Sequence, residues 1–438
     1  MKLRGLLTAC ALLAVLSGLL WWSNRKEARA SREPVESKSV KLFTAPEDQI
    51  QEIKIQKQIG ENIHLRRNAG KWQIAGPQPL AADPEAVSSL LSTLLSLNAD
   101  HVIEDKAANV EPYGLVHPWI KVGIVESNNK TRELLIGDQT PAGSANYAEV
   151  AGDPRVFTIA PYIKVSFDKS PNDLRDKRLM SFESNKVTRV ELTAKKQSIE
   201  FGRNKDHWQI VKPKPLRADQ FPVEELLRTL HDAKMELSGS DDEKKMATAF
   251  SLANPVATAQ VTDASGTQEL QVRKSKDDYY AKSSAVGGVY KVAVGTGRGL
   301  DKSLDDFRNK KLFDFGYADP EKLELHDGSK SYVLSKKERD WWSNGTKMDE
   351  SAARSLVDKI RDLSASKFVE SGFSAATLDI TVTSDGGKHS EKLLISKNGD
   401  RYVSKRENEP ALYELDSLTV TDLQKAAAEV KPATLPKK

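Results

Sequence analysis

One cysteine, Cys10, stands in 438 residues. It excludes an intramolecular disulfide framework and every cysteine-cluster metal site. The seven histidines are His64, His101, His117, His207, His231, His326 and His389, and none is paired at i,i+3 or i,i+4. An H-E-x-x-H zinc site is therefore absent from the sequence. A G-x-S-x-G nucleophile elbow and a GK[ST] phosphate loop are missing too. An excess of one charge is also lacking. The formal net charge is +4, but residues 1–45 carry +5 and residues 46–438 sum to −1. A nearly neutral body offers no electrostatic footprint for nucleic acid.

Long apolar runs are equally scarce, with one exception. Gly5 to Trp22 is an uncharged, mostly apolar stretch of 18 residues after Lys2 and Arg4. As a helix it spans about 27 Å, close to the thickness of a bilayer core. Trp21 and Trp22 end it, and Arg25 and Lys26 follow, as at a membrane interface. A cleaved signal peptide is the rival. Cleavage at Ala28 and Ala30 would leave a charged stretch between the core and the cut, so the anchor is preferred. Cys10 lies inside the run rather than after it, which argues against lipidation. The expectation is one transmembrane helix over residues 5–22 of a single-pass protein of the cytoplasmic (inner) membrane. The short head places residues 25–438 on the extracytoplasmic side.

Beyond a polar tether at 25–45 the chain repeats itself. Residues 63–83 read IHLRRNAGKWQIAGPQPLAAD and 199–219 read IEFGRNKDHWQIVKPKPLRAD, with Trp72 and Trp208 separated by 136. Leu174–Leu179 matches Phe307–Leu312 at a separation of 133. A period this long means duplicated domains rather than a solenoid. A third, degenerate copy begins near Leu323, with Trp342 after a turn and Asp349 opening a helix. The organisation expected is 1–24 anchor or uncleaved signal, 25–45 linker, repeat domains 46–182, 183–316 and 317–430, and a tail at 431–438.

Each copy has one grammar. Ile50–Ile55, Ile63–Arg67 and Lys71–Ile74 alternate as strands. Asp83 stands at an N-cap with Pro84 at N1, ahead of a stripe of Val87, Leu90, Leu91, Leu94, Leu95 and Leu97. Strands follow at Lys121–Val125, Glu133–Ile136, Tyr147–Val150 and Val156–Ile159, then a short helix around Ile163–Phe167. The fold class is α+β: tandem mixed or antiparallel sheets with covering helices, preceded by the transmembrane helix.

Candidate site residues are weighed against plain structural roles. Trp72, Trp208 and Trp342 read as core anchors rather than a binding platform. Asp83, Asp219 and Asp349 read as helix caps rather than acids. Tyr113-Gly114-Leu115 with Pro118 matches Phe250-Ser251-Leu252 with Pro255, which argues packing at a loop-to-strand approach. Gly295-Thr296-Gly297-Arg298-Gly299 is the most cofactor-like string, yet it is not a dinucleotide fingerprint and reads as a flexible loop. Asp241-Asp242-Glu243 beside Lys244-Lys245 reads as a solvated approach to a helix. No catalytic, cofactor-binding or metal residue is nominated, no cofactor is expected, and the protein reads as a non-enzyme.

The pattern of Gly70-Lys71-Trp72-Gln73-Ile74, Asp83, Tyr113-Gly114-Leu115, Pro118, Ile136-Gly137-Asp138, Tyr147-Ala148 and Val156-Phe157 resembles the bacterial domain-of-unknown-function family numbered 4340. The second copy keeps Trp208, Pro213, Asp219, Leu252-Ala253-Asn254-Pro255, Tyr280-Ala281 and Val289-Tyr290 but lacks the Ile-Gly-Asp. The resemblance transfers no functional residue. It implies an accessory protein of the cell envelope, a membrane-anchored non-catalytic scaffold or subunit of an ABC-type export or gliding-related transporter system, with a membrane-protein partner. The alternative is an envelope enzyme or ligand-binding protein acting in a cleft between repeats.

Overall fold

The computed structural model describes residues 40–237 and 243–433. Nine strands form the first sheet: β1 (Ile50–Lys57), β2 (Ile63–Asn68), β3 (Lys71–Ile74), β4 (Leu80–Ala81) and β5 (His101–Glu104), then β6 (Ile120–Glu126), β7 (Thr131–Gln139), β8 (Asn146–Val150) and β9 (Val156–Ile159). Their order is β4-β3-β2-β1-β6-β7-β8-β9-β5, with antiparallel neighbours throughout. A second sheet, between Arg189–Ala194 and Val289–Val292, and a third, between Lys322–Asp327 and Leu412–Leu415, repeat that order strand for strand. The strands appear where the alternation predicts them. The edge strands β4 and β5 escape it, because one has two residues and the other is almost wholly exposed.

One helix after each β4-type strand covers one face of the sheet. Pro84–Leu95 buries Val87, Leu90, Leu91 and Leu94; Gln220–His231 buries Val223, Leu226, Leu227 and Leu230; Glu350–Arg361 buries Ala353, Leu356, Val357 and Ile360. The i, i+3, i+4, i+7 spacing puts all four on one helical face in each copy. Three separate apolar cores result.

Two backbone seams recur in all three copies. The cap residue's N–H donates to a closing segment: Asp83 to Leu174, Asp219 to Phe307, and Asp349 to Lys431, each 2.8 Å. The segment leading into each sheet pairs with the chain after the helix: Leu42 with Leu97, Leu179 with Ala233, and Leu312 with Leu363, at 2.9–3.0 Å. Leu42 and Phe43 are buried in the first core, Leu179 and Met180 in the second, Leu312 and Phe313 in the third. The chain divides into two compact units at Lys177 and Arg178, one holding the first sheet and the other the second and third.

The expected membrane-spanning helix has no counterpart among the described residues. A spanning helix needs about 20 apolar residues. The longest helix among the described residues, Ser417–Glu429, has 13 and reaches about 20 Å. No helix among the described residues is long and apolar enough to cross a membrane. Among the described residues the fold is tandem antiparallel sheets with covering helices and holds no transmembrane helix; residues 5–22, where that helix was expected, lie outside the described residues. The single-pass inner-membrane localisation and the membrane anchor rested on that helix, and the envelope scaffold and transporter partner on the family resemblance; no helix among the described residues supports them, and they are withdrawn.

Candidate functional site

The recurring tryptophan is a latch built across a strand pair. Arg67 of β2 lies opposite Trp72 of β3, Arg203 opposite Trp208, and Lys336 opposite Trp341. Each cation sits over its ring, at 5.9, 5.5 and 4.9 Å from the centroid. It then grips the turn before the first strand: Arg67 donates to Asp48 O, Arg203 to Ser184 O and Asn185 O, and Lys336 to the Asp319 carboxylate. Trp208 and Trp341 are buried, whereas Trp72 is half-buried against its core. The third anchor is thus Trp341, not Trp342. Two adjacent tryptophans left the register open, and strand alternation turns Trp341 inward.

Asp83, Asp219 and Asp349 are N-caps. Asp83 accepts from the N–H groups of Glu85 and Ala86, Asp219 from Phe221, and Asp349 from Ala352. The glycine string is not a flexible loop. It lies in the helix Val294–Leu300, where a Cβ on Gly297 would stand 2.0 Å from the Tyr279 ring and one on Gly299 2.9 Å from Thr229. Those glycines are small so that the helix can pack closely. Asp241 and Asp242 lie outside the described residues, and Glu243 begins the helix Glu243–Leu252. Three histidines sit beside carboxylates: His64 at 3.0 Å from Glu52, His231 at 2.9 Å from Asp232, and His389 at 3.6 Å from Glu391. No group of three His, Cys, Asp or Glu that could hold a metal occurs among the described residues.

Two sequence motifs far apart in the first copy meet. Gly114 adopts φ +69°, and its α-carbon faces the Asp138 carboxylate so closely that a Cβ would stand 2.6 Å from it. A Cβ on Gly137 would lie 2.2 Å from the Tyr113 carbonyl. Asp138 accepts from Trp119 Nε1 at 2.8 Å, and Tyr113 donates to Glu104 at 2.6 Å. Tyr-Gly-Leu and Ile-Gly-Asp are therefore two halves of one close contact. The family model for a domain of unknown function, DUF4340, matches residues 72–207 and 208–381, more than half of the chain. The chain belongs to that family. Each matched DUF4340 segment begins at the latch tryptophan, Trp72 or Trp208, so it runs out of phase with the sheets. No curated protein matches the chain, and no solved structure does.

A cavity of this DUF4340 chain lies within the second compact unit, between the second and third sheets. It has a volume of about 330 Å³ and an apolar wall of Ile210, Pro215, Leu216, Phe368, Pro410 and Ala411. Its charged groups are engaged with one another. Arg217 pairs with Asp314, donates to Lys311 O, and has Nε 3.0 Å from Glu409 without hydrogen-bond alignment. Arg406 meets Asp314 at 3.0 Å, Glu391 at 2.8 Å and Glu409 at 3.1 Å. Glu391 also accepts the Asp314 N–H at 3.0 Å. Arg308 pairs with Asp305 at 3.0 Å and lies 3.4 Å over the Phe368 ring. Burial opposes the Arg217 charge, but the Asp314 and Glu409 carboxylates outweigh it and raise its pKa. Tyr413 donates to Glu409 at 2.8 Å; burial first, and that carboxylate second, push its phenol up to about 12. No motif announces this cleft in the sequence. Its residues come from segments as distant as 209 and 413, and only the repetition of the domain hints that a junction exists.

Proposed function

We propose that this DUF4340 chain is a non-catalytic binding protein, with the cleft between the second and third sheets as its ligand site. The observation that carries this reading is the commitment of the cleft's ionisable groups to one another. Arg217, Arg308 and Glu409 are each held by an opposite charge, and Tyr413 keeps its proton far above neutral pH. Groups so engaged hold a surface rigid and do not shuttle protons, since a general acid or base works best with a pKa near the working pH. The volume falls at the small end of the range for ligand pockets.

The test is to incubate the full chain with pools of small peptides and oligosaccharides and to follow both binding and the mass of each ligand. The expected result is retention of ligand recovered chemically unchanged, abolished by Leu216→Arg. Product formation that disappears in Tyr413→Phe or Glu409→Gln would make the cleft an active site and overturn the reading.

A further inference from the structure

Three features of the cleft bear on what it takes. The first is charge. Arg217, Arg308 and Arg406 are each ion-paired with at least one of the four carboxylates Asp305, Asp314, Glu391 and Glu409, so an anionic ligand would have to break an existing pair to be recognised. The second is the kind of polar group left over. Gln209 and Asn408 are exposed at the rim, and their carboxamides make no hydrogen bond to another described residue. A carboxamide offers both a donor and an acceptor, the complement of a peptide unit.

The third is the sheet edge. Two terminal strands flank the cleft: Leu216–Arg217 of the second sheet and Lys367–Val369 of the third. They are not equally open. The Arg217 carbonyl already accepts the Asn309 N–H at 3.0 Å. Lys367–Val369 is paired only with Leu412–Leu415, on one side, among the described residues. An edge strand presents a row of main-chain donors and acceptors to an added strand. A sugar ring would instead want a bare aromatic face. Here Phe368 is covered by Arg308 and Tyr413 is buried.

We propose that the cleft binds a short, uncharged, extended peptide segment, which adds to the edge strand Lys367–Val369 and is hydrogen-bonded at the rim by Gln209 and Asn408. This rests on the reading of the cleft as a ligand site. The apolar wall of Pro215, Leu216, Pro410 and Ala411 then receives a small apolar side chain of the peptide.

The experiment uses the full chain and three pools of N-acetylated, C-amidated pentapeptides: uncharged, acidic and basic. A neutral oligosaccharide pool is the fourth arm. The expected result is binding by the uncharged pool at least tenfold tighter than by either charged pool. Gln209→Ala with Asn408→Ala should weaken it at least fivefold at unchanged melting temperature, since both side chains are exposed. Preference for a charged pool, or full affinity in the double variant, would overturn the peptide assignment. Binding of oligosaccharide alone would overturn it while leaving the cleft a ligand site. No perturbation of cleft residues by any arm would remove both.

Discussion

The first and second repeats settle the same loop-to-strand approach in different ways. In the first, Tyr113 ends a short 3-10 turn, and the backbone of Gly137 runs against it with no room for a side chain. In the second, Phe250 lies on the helix Glu243–Leu252, and Arg273 reaches 4.7 Å over its ring while donating to Phe250 O and Ser251 O. One copy uses absence of a side chain, the other a long cation. The difference explains why the second copy lacks the Ile-Gly-Asp yet keeps the aromatic and the proline. What is retained is closure of the approach, and either device achieves it.

The largest way to break the comparison is through the latch. Trp208→Ala should cost about 3–5 kcal/mol, and Trp72→Ala about 2 because its ring is only half-buried. Denaturant unfolding measures both, and equal losses would contradict the difference in burial. Gly137→Ala should destabilise the first compact unit by about 3 kcal/mol, through collision with the Tyr113 carbonyl. Arg273→Met should lower stability in the second repeat by about 1–2 kcal/mol, the ring contact and two long hydrogen bonds together. If instead Arg273→Met is neutral, the cation is not the substitute for the glycine contact.

The caps should not distinguish the copies. Asp83→Ala and Asp219→Ala are each expected to cost about 1 kcal/mol. The smallest effect concerns acid. Ser170 holds the Asp173 carboxyl below its usual range by hydrogen bonding; at Asp306 burial is the largest single effect and pushes the carboxyl up, but hydrogen bonds from Ser303, with Lys302 and Lys195 nearby, outweigh it and leave it lowered. A depressed folded pKa contributes stability above the unfolded value, near pH 4, and loses it as pH falls through the folded one. Asp173→Asn with Asp306→Asn should therefore flatten the fall in stability below pH 4. An unchanged slope would mean that these serine–aspartate boxes carry none of it.

Strands with strict alternation and the helix stripe were legible in the sequence, because burial on one face imprints a period on it. Asp83 and its counterparts were legible as caps, since the cap chemistry is local. The rest was hidden for physical reasons. Trp341 and Trp342 are adjacent, so only the register of the strand, which sets Lys336 opposite Trp341 and Ser335 opposite Trp342, decides which turns inward. Gly297 and Gly299 look like a loop, because a helix that packs closely and a flexible turn both favour glycine. The cleft was invisible: Arg217, Phe368 and Glu409 are each ordinary alone and become a site only when two repeats meet. The apolar run at 5–22 carried too much of the functional expectation, since it lies outside the described residues and no helix among those described is long and apolar enough to cross a membrane.

The most direct test of the account is hydrogen–deuterium exchange on the full chain, with and without the uncharged capped pentapeptide pool, read at Lys367–Val369. The account predicts that these edge amides become slower to exchange with the pool present, while strand β5 of the first repeat is unchanged. Equal exchange at Lys367–Val369 with and without peptide, or protection by the acidic or basic pool instead, would contradict it.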